Sequence, residues 1–180
     1  MFGRTDLAFY FIPLISIIAL VTDLRFGRIF NWLTLSAFLS GLVVAAVGGG
    51  WSGIGSSLLG ALVGLLLYGW MFWIGVMGGG DVKLLMALGA WGGPRYVLEV
   101  AVLGVMLGGL LAICKLIAKR RVLDFSRKLY RFLLSLFIKE LEIETPKIDR
   151  GFTMPFGVAL AVAAVWTVFD VPLKRMGLWW

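Results

Sequence analysis

A chain of 180 residues, 61% hydrophobic and 15% charged, carries too many long apolar runs for a soluble domain and reads as an integral membrane protein. The absence of histidine excludes HExxH zinc sites, Ser-His and Cys-His triads and histidine proton relays. The single cysteine, Cys114, excludes an internal disulfide and any multi-cysteine metal site, so no cofactor is expected. The net charge of +7 is ascribed to membrane topology and anionic lipid, since no aromatic-basic platform for nucleic acid is present.

In chain order, the first apolar span covers about residues 7–22. Its flank lacks a small-residue cleavage site, so it is read as retained rather than as a secretory leader. Asp23 closes it, followed by Arg25, Arg28 and Asn31. A second span, about 31–48, leads through the loop Gly48-Gly49-Gly50-Trp51-Ser52-Gly53 to a third, about 54–77. Then comes Gly78-Gly79-Gly80-Asp81-Val82-Lys83 and a fourth span, about 82–93. That span is too short to cross unaided unless its helix begins within the glycines or it packs inside a bundle.

The loop Gly92-Gly93-Pro94 precedes a fifth span, about 96–118. Residues 119–150 form a basic amphipathic insert expected at the membrane surface, with Val122, Phe125, Leu129, Phe132 and Leu136 opposite Arg127, Lys128, Arg131 and Lys139. Pro155 opens a sixth span, about 154–170, in Met154-Pro155-Phe156-Gly157. The expectation is therefore an all-α, single membrane domain over 1–180: a six-transmembrane-helix bundle with an interfacial helix at 119–150. Gly60-Ala61-Leu62-Val63-Gly64 and Gly104-Val105-Met106-Leu107-Gly108 fit the small-xxx-small pattern of close helix packing. Trp51, Trp91, Trp179 and Trp180 fit interfacial belts.

With the amino terminus outside, the inside loops hold Arg25, Arg28, Lys83, Lys115, Lys119, Arg120, Arg121, Arg127, Lys128, Arg131, Lys139, Lys147 and Arg150, against Arg4, Arg95, Lys174 and Arg175 outside. The positive-inside rule favours that orientation, which brings Asp23 and Asp81 to one, cytoplasmic, face.

A charged side chain at membrane depth costs several kcal/mol, at roughly 2.5–3.5 on insertion scales, so Asp81 and Asp23 are functional candidates by default. Two carboxylates can hydrolyse a peptide bond without a metal: held about 3 Å apart they share one proton, so one serves as base and the other as acid. Taken singly, each has a plainer reading as a helix cap or boundary residue. Lys83 alone reads as an interfacial anchor, and Asn31 as the start of the second span. Gly78 and Gly80 allow the backbone before Asp81 to depart from regular helix and approach an extended substrate.

Together, Asp23-Leu24-Arg25 with Arg28-Ile29-Phe30-Asn31, then Gly78-x-Gly80-Asp81-x-Lys83, then Pro155-Phe156-Gly157, resemble the type IV prepilin peptidase family of GxGD aspartyl intramembrane proteases. The resemblance covers nearly the whole chain with the motifs in family order. It implies a catalytic pair, Asp23 and Asp81, with Gly78, Gly80, Lys83, Asn31, Arg28, Pro155, Phe156 and Gly157 supporting the site. It also implies a prepilin-like or preflagellin-like membrane protein as substrate, cleaved between a short basic leader and a hydrophobic helix at the cytoplasmic face of a prokaryotic plasma membrane. The family often has proline where this chain has Phe30. Bifunctional members add an amino-terminal region with paired CxxC motifs and methylate the product; this chain has no CxxC and starts almost directly with its first span, so peptidase activity without methyl transfer is expected. The compact form is similar both to peptidases of tight-adherence pilus systems and to the archaeal preflagellin branch. Two other readings stand beside it: a small transporter or channel subunit with Asp23 and Asp81 as a proton or cation relay, and an assembly factor whose acids cap helices.

Overall fold

The computed structural model describes residues 4–75, 77–118 and 156–169, and among them there is helix and turn but no strand. The expected insert at 119–150 lies outside the described residues, as do Pro155, Trp179 and Trp180. Four helices are present among the described residues: α1 (Arg4–Phe26), α2 (Asn31–Trp73), α3 (Gly79–Ala118) and α4 (Phe156–Phe169). Two compact units divide the chain, one of Met1–Gly108 with Pro155–Trp180, the other of Gly109–Met154. In the second unit the described residues, 109–118, are helical. The candidate site and the packing around it belong to the first.

Leu7–Phe26, Asn31–Trp73 and Gly79–Lys115 are each long and apolar enough to cross a membrane. The surface agrees: Leu35, Leu39, Val43 and Val47 lie exposed along one side of α2, whereas Ser16, Thr22, Asp23, Ser57 and Glu99 are buried. Apolar groups outside and polar groups inside invert the soluble arrangement and suit a lipid surround.

Where six separate spans are expected, the described residues form four continuous helices, because the expected loops at 48–53 and 92–94 shrink to single residues. Gly50 leaves helical space at φ 55°, ψ −138°, and Gly93 at φ 83°, ψ −178°. Positive φ is open to glycine at little cost. Pro94 follows at once; it has no N–H to satisfy and its fixed φ suits a helix start. Both bends are sharp. A Cβ at Gly53 would collide with the backbone carbonyl of Ala45, whereas eight residues of straight helix span about 12 Å. In α3, Leu85 lies against Gly64 and Ala101 accepts a hydrogen bond from Tyr68 Oη at 2.9 Å. Gly64 and Tyr68 are one turn apart, whereas Leu85 and Ala101 would be about 24 Å apart on a straight helix. The chain therefore doubles back at Gly93.

Gly60 faces the backbone of Gly89 and Gly64 that of Leu85, so the first small-xxx-small motif does bring two backbones together. Ser57 Oγ donates to the Ala90 carbonyl at 2.8 Å in the same seam. The second motif works differently: Gly104 and Gly108 make room for the Tyr68 hydroxyl and the Phe156 ring. Trp91 does not lie on the outer surface, where a belt residue would face lipid. It is buried at 2% exposure, donates from Nε1 to the Ala37 carbonyl at 2.8 Å and stacks on Phe11 at 5.0 Å between ring centroids. Its indole N–H finds a partner inside, which a belt position would not require.

α1 and α4 pack along one another in opposite directions: Phe9 meets Phe169 edge-on at 5.1 Å at one end, and Asp23 meets Gly157 at the other. That second end carries the candidate site.

Candidate active site

Three helix starts and one helix end meet here. Asp23 lies in the last turn of α1 and is 8% exposed. The first residue of α2 is Asn31. Asp81 stands in the first turn of α3, which begins at Gly79, so the short fourth span does start within the glycines. Gly157 is the second residue of α4.

Asp23 faces the start of α4. A Cβ on Gly157 would sit 2.7 Å from Asp23 Oδ2, and the backbone N–H groups of Val158 and Gly157 are directed at the carboxyl. These are among the N–H groups a helix start leaves without intrahelical partners, which makes it a natural seat for a carboxylate. Asp23 Oδ2 itself has no hydrogen-bond partner among the described residues.

Asp81 is half-buried and its carboxyl faces the backbone N–H of Gly78, whose Cβ position is 3.2 Å from Oδ2. Asp81 and Asp23 lie close enough for their charges to interact. Gly79 and Gly80 are helical rather than extended, so only Gly78 precedes the helix. Gly80 matters for space: a Cβ there would lie 3.2 Å from Ile29 Cβ.

The segment Gly27–Phe30 joins α1 to α2, and its Ile29 touches the backbone beside each acid, at Gly80 and at Gly157. Gly27 N–H donates to the Asp23 carbonyl at 2.8 Å and takes φ 62°. Phe30 caps α2 at φ −76°, ψ 139°, with its carbonyl accepting from Leu33 and Thr34 at 3.2 and 3.3 Å. That φ lies within the range proline would impose, so phenylalanine in place of proline leaves the turn intact. Asn31 caps nothing: its Oδ1 accepts from Lys83 Nζ at 2.9 Å.

The geometry sorts the supporting residues. Gly78, Gly80 and Gly157 touch or adjoin the acids; Lys83 and Asn31 pair with each other; Phe156 meets Tyr68 edge-on at 5.7 Å. Arg28 is not drawn in: its guanidinium sits 5.0 Å from the Phe30 ring centroid and, among the described residues, pairs with neither acid. Sequence reasoning passed over two residues. Ile29 packs between Gly80 and Gly157, and as one apolar residue in a loop it carries no signal. Tyr68 is 1% exposed and within electrostatic reach of Asp81; its one clue is a hydroxyl amid an apolar run.

The family model described as the type IV leader peptidase family matches residues 10–113, a stretch that includes both acids and all the supporting residues except Pro155, Phe156 and Gly157. A curated relative, the prepilin leader peptidase/N-methyltransferase of Xanthomonas campestris pv. campestris, is 30% identical over 154 residues. The match covers 82% of this chain and 44% of the relative, so the chain spans less than half of that protein's length. No solved structure matches.

Proposed function

This chain belongs to the type IV leader peptidase family, and we propose that it is a membrane aspartyl endopeptidase in which Asp23 and Asp81 cleave the leader from prepilin-like or preflagellin-like proteins. The observation that carries the reading is the convergence of two acids from α1 and α3 at one end of the fold, near enough for their charges to interact.

In the proposed reaction the ionised carboxylate of the pair takes a proton from water as the water oxygen attacks the scissile carbonyl carbon. The protonated partner gives its proton to the leaving nitrogen, the C–N bond breaks, and a carboxyl and an amine terminus result. The proton taken from water restores the pair for the next turnover. No metal or nucleophilic side chain is required.

The membrane arrangement we propose has six crossings: α1, the two arms of α2, the two arms of α3, and α4. A straight α2 of 43 residues would be about 65 Å long, twice the hydrocarbon thickness, and the reversals at Gly50 and Gly93 supply the remedy. With basic residues inside, both acids face the cytoplasm of a prokaryotic plasma membrane.

The test is cleavage of a co-expressed prepilin by wild type, Asp23→Asn and Asp81→Asn, with membrane levels measured for each. Leader removal by wild type alone supports the pair; undiminished cleavage by either variant refutes it.

A further inference from the structure

We propose that Ile29 is a positioning residue that sets the spacing of Asp23 and Asp81, an inference that rests on the functional reading above and deepens it. Its side chain is wedged between the backbones that carry the two acids. On one side, the Cβ position of Gly80, the neighbour of Asp81, lies 3.2 Å from Ile29 Cβ and 3.6 Å from its backbone N and O. On the other, the Cβ position of Gly157, against which Asp23 Oδ2 rests, lies 3.0 Å from Ile29 Cδ1. Ile29 is 8% exposed, so it is packed rather than presented to substrate.

Three features suit it to that task. Branching at Cβ leaves isoleucine few rotamers, so its width between Gly80 and Gly157 is well defined. An apolar side chain neither donates to nor accepts from carboxylates nearby, so it can space their backbones without engaging them. The loop that carries it is tied at both ends: Gly27 N–H holds the Asp23 carbonyl at 2.8 Å, and Asn31, two residues beyond Ile29, is held by Lys83 at 2.9 Å. Each tie engages the helix of one acid, so the wedge is fixed relative to both.

The glycines give the complementary half of the argument. At Gly80 the space a methyl group would fill is taken up by Ile29, and at Gly157 by the Asp23 carboxyl together with Ile29 Cδ1. Glycine at these two positions and a branched side chain at 29 form one packing unit: small, large, small.

Two readouts test this in the full chain in membranes. The first is the split of kcat and KM for Ile29→Ala and Ile29→Val on a prepilin substrate. Misplacing reacting groups by about 1 Å can cost about a hundredfold, so Ile29→Ala is expected to lower kcat by about tenfold or more with KM within about twofold. Ile29→Val keeps the branch against Gly80 and loses only Cδ1 against Gly157, so its loss is smaller.

The second readout needs no activity. Asp23→Cys with Asp81→Cys, in a Cys114→Ser background, reports the spacing by the rate of cross-linking with a short bifunctional thiol reagent. Adding Ile29→Ala, or Ile29→Val where the alanine variant fails to accumulate, is expected to change that rate about threefold or more, since the structure around a truncated packed side chain relaxes in part. An unchanged rate overturns the proposal even where kcat falls. If wild type cleaves no prepilin, the functional reading fails while the cross-linking arm still decides whether Ile29 sets the spacing.

Discussion

The Lys83 ammonium donates to the Asn31 side-chain carbonyl at 2.9 Å, tying the first turn of α3 to the first residue of α2. Two residues along a helix turn by about 200°, so Lys83 leaves Asp81 on the other side of α3 and reaches for its neighbour helix instead. The contact points to Lys83 as a tie between α3 and α2 rather than a cation aimed at the acids.

If so, Lys83→Met and Asn31→Leu should each lower turnover by a similar factor, about three- to tenfold, the range of an ordinary, solvent-exposed hydrogen bond of about 1 kcal/mol. The double variant should be no worse than either single one, because both remove the same interaction. Additive losses in initial-rate measurements would show that the two side chains act separately.

Gly157→Ala makes a sharper case. Its new methyl would meet Asp23 Oδ2 at 2.7 Å and Ile29 Cδ1 at 3.0 Å, with the α4 backbone behind it. Overpacking of this kind costs about 1–3 kcal/mol, and here the displaced group is one of the two proposed catalytic acids. A loss of cleavage of more than about tenfold is expected at unchanged membrane level. Gly55→Ala is the matched control, since nothing lies within 4 Å of its Cβ position. Wild-type rates from Gly157→Ala would count against the Asp23 geometry.

What the sequence made legible follows from contrast. Charge in an apolar chain stands out, so Asp23, Asp81 and the glycines before Asp81 could be found from residue type and spacing alone. The Lys83–Asn31 contact could not: each residue has a sufficient local explanation, and only the folding of α2 beside α3 joins them. Ile29 and Tyr68 were hidden for the opposite reason, since a packed apolar residue or a tyrosine among leucines looks like any other core position. Trp91 misled because hydropathy places it near a span end, whereas tertiary contacts with Phe11 and Ala37 bury it. The two Gly-containing loops are legible in the sequence by position but not by length, because one glycine at positive φ suffices to reverse each helix.

The seam between α2 and α3 predicts a stability effect separate from activity. Alanine at Gly60 or Gly89 would drive a methyl into the other residue's backbone carbonyl, and helix backbone cannot swing aside as a side chain can. A cost of about 1–3 kcal/mol is expected, and at about 2–4 °C per kcal/mol it should lower the melting temperature in detergent by several degrees. Gly55→Ala again serves as control, with no decrease. Equal melting temperatures for all three variants would mean that the seam tolerates separation.

Tyr68 joins the fold to the site, and two substitutions separate its parts. Its hydroxyl donates to the Ala101 carbonyl at 2.9 Å, across the reversal at Gly93, while its ring supports Phe156 edge-on at 5.7 Å. Phe156 in turn precedes Gly157, which fixes the start of α4 against Asp23. Tyr68→Phe keeps the ring and loses the hydrogen bond, so a modest loss of about 1 kcal/mol in stability and little change in kcat are expected. Tyr68→Ala removes the support beneath Phe156 and opens a cavity in a closely packed region, at a cost of about 3–5 kcal/mol by analogy with other aromatic truncations. Its kcat should fall well below that of Tyr68→Phe, because the start of α4 is then free to move away from Asp23. Measuring both variants at a temperature where each remains folded separates the two effects: equal kcat values would detach Tyr68 from the site and leave it a purely structural tie.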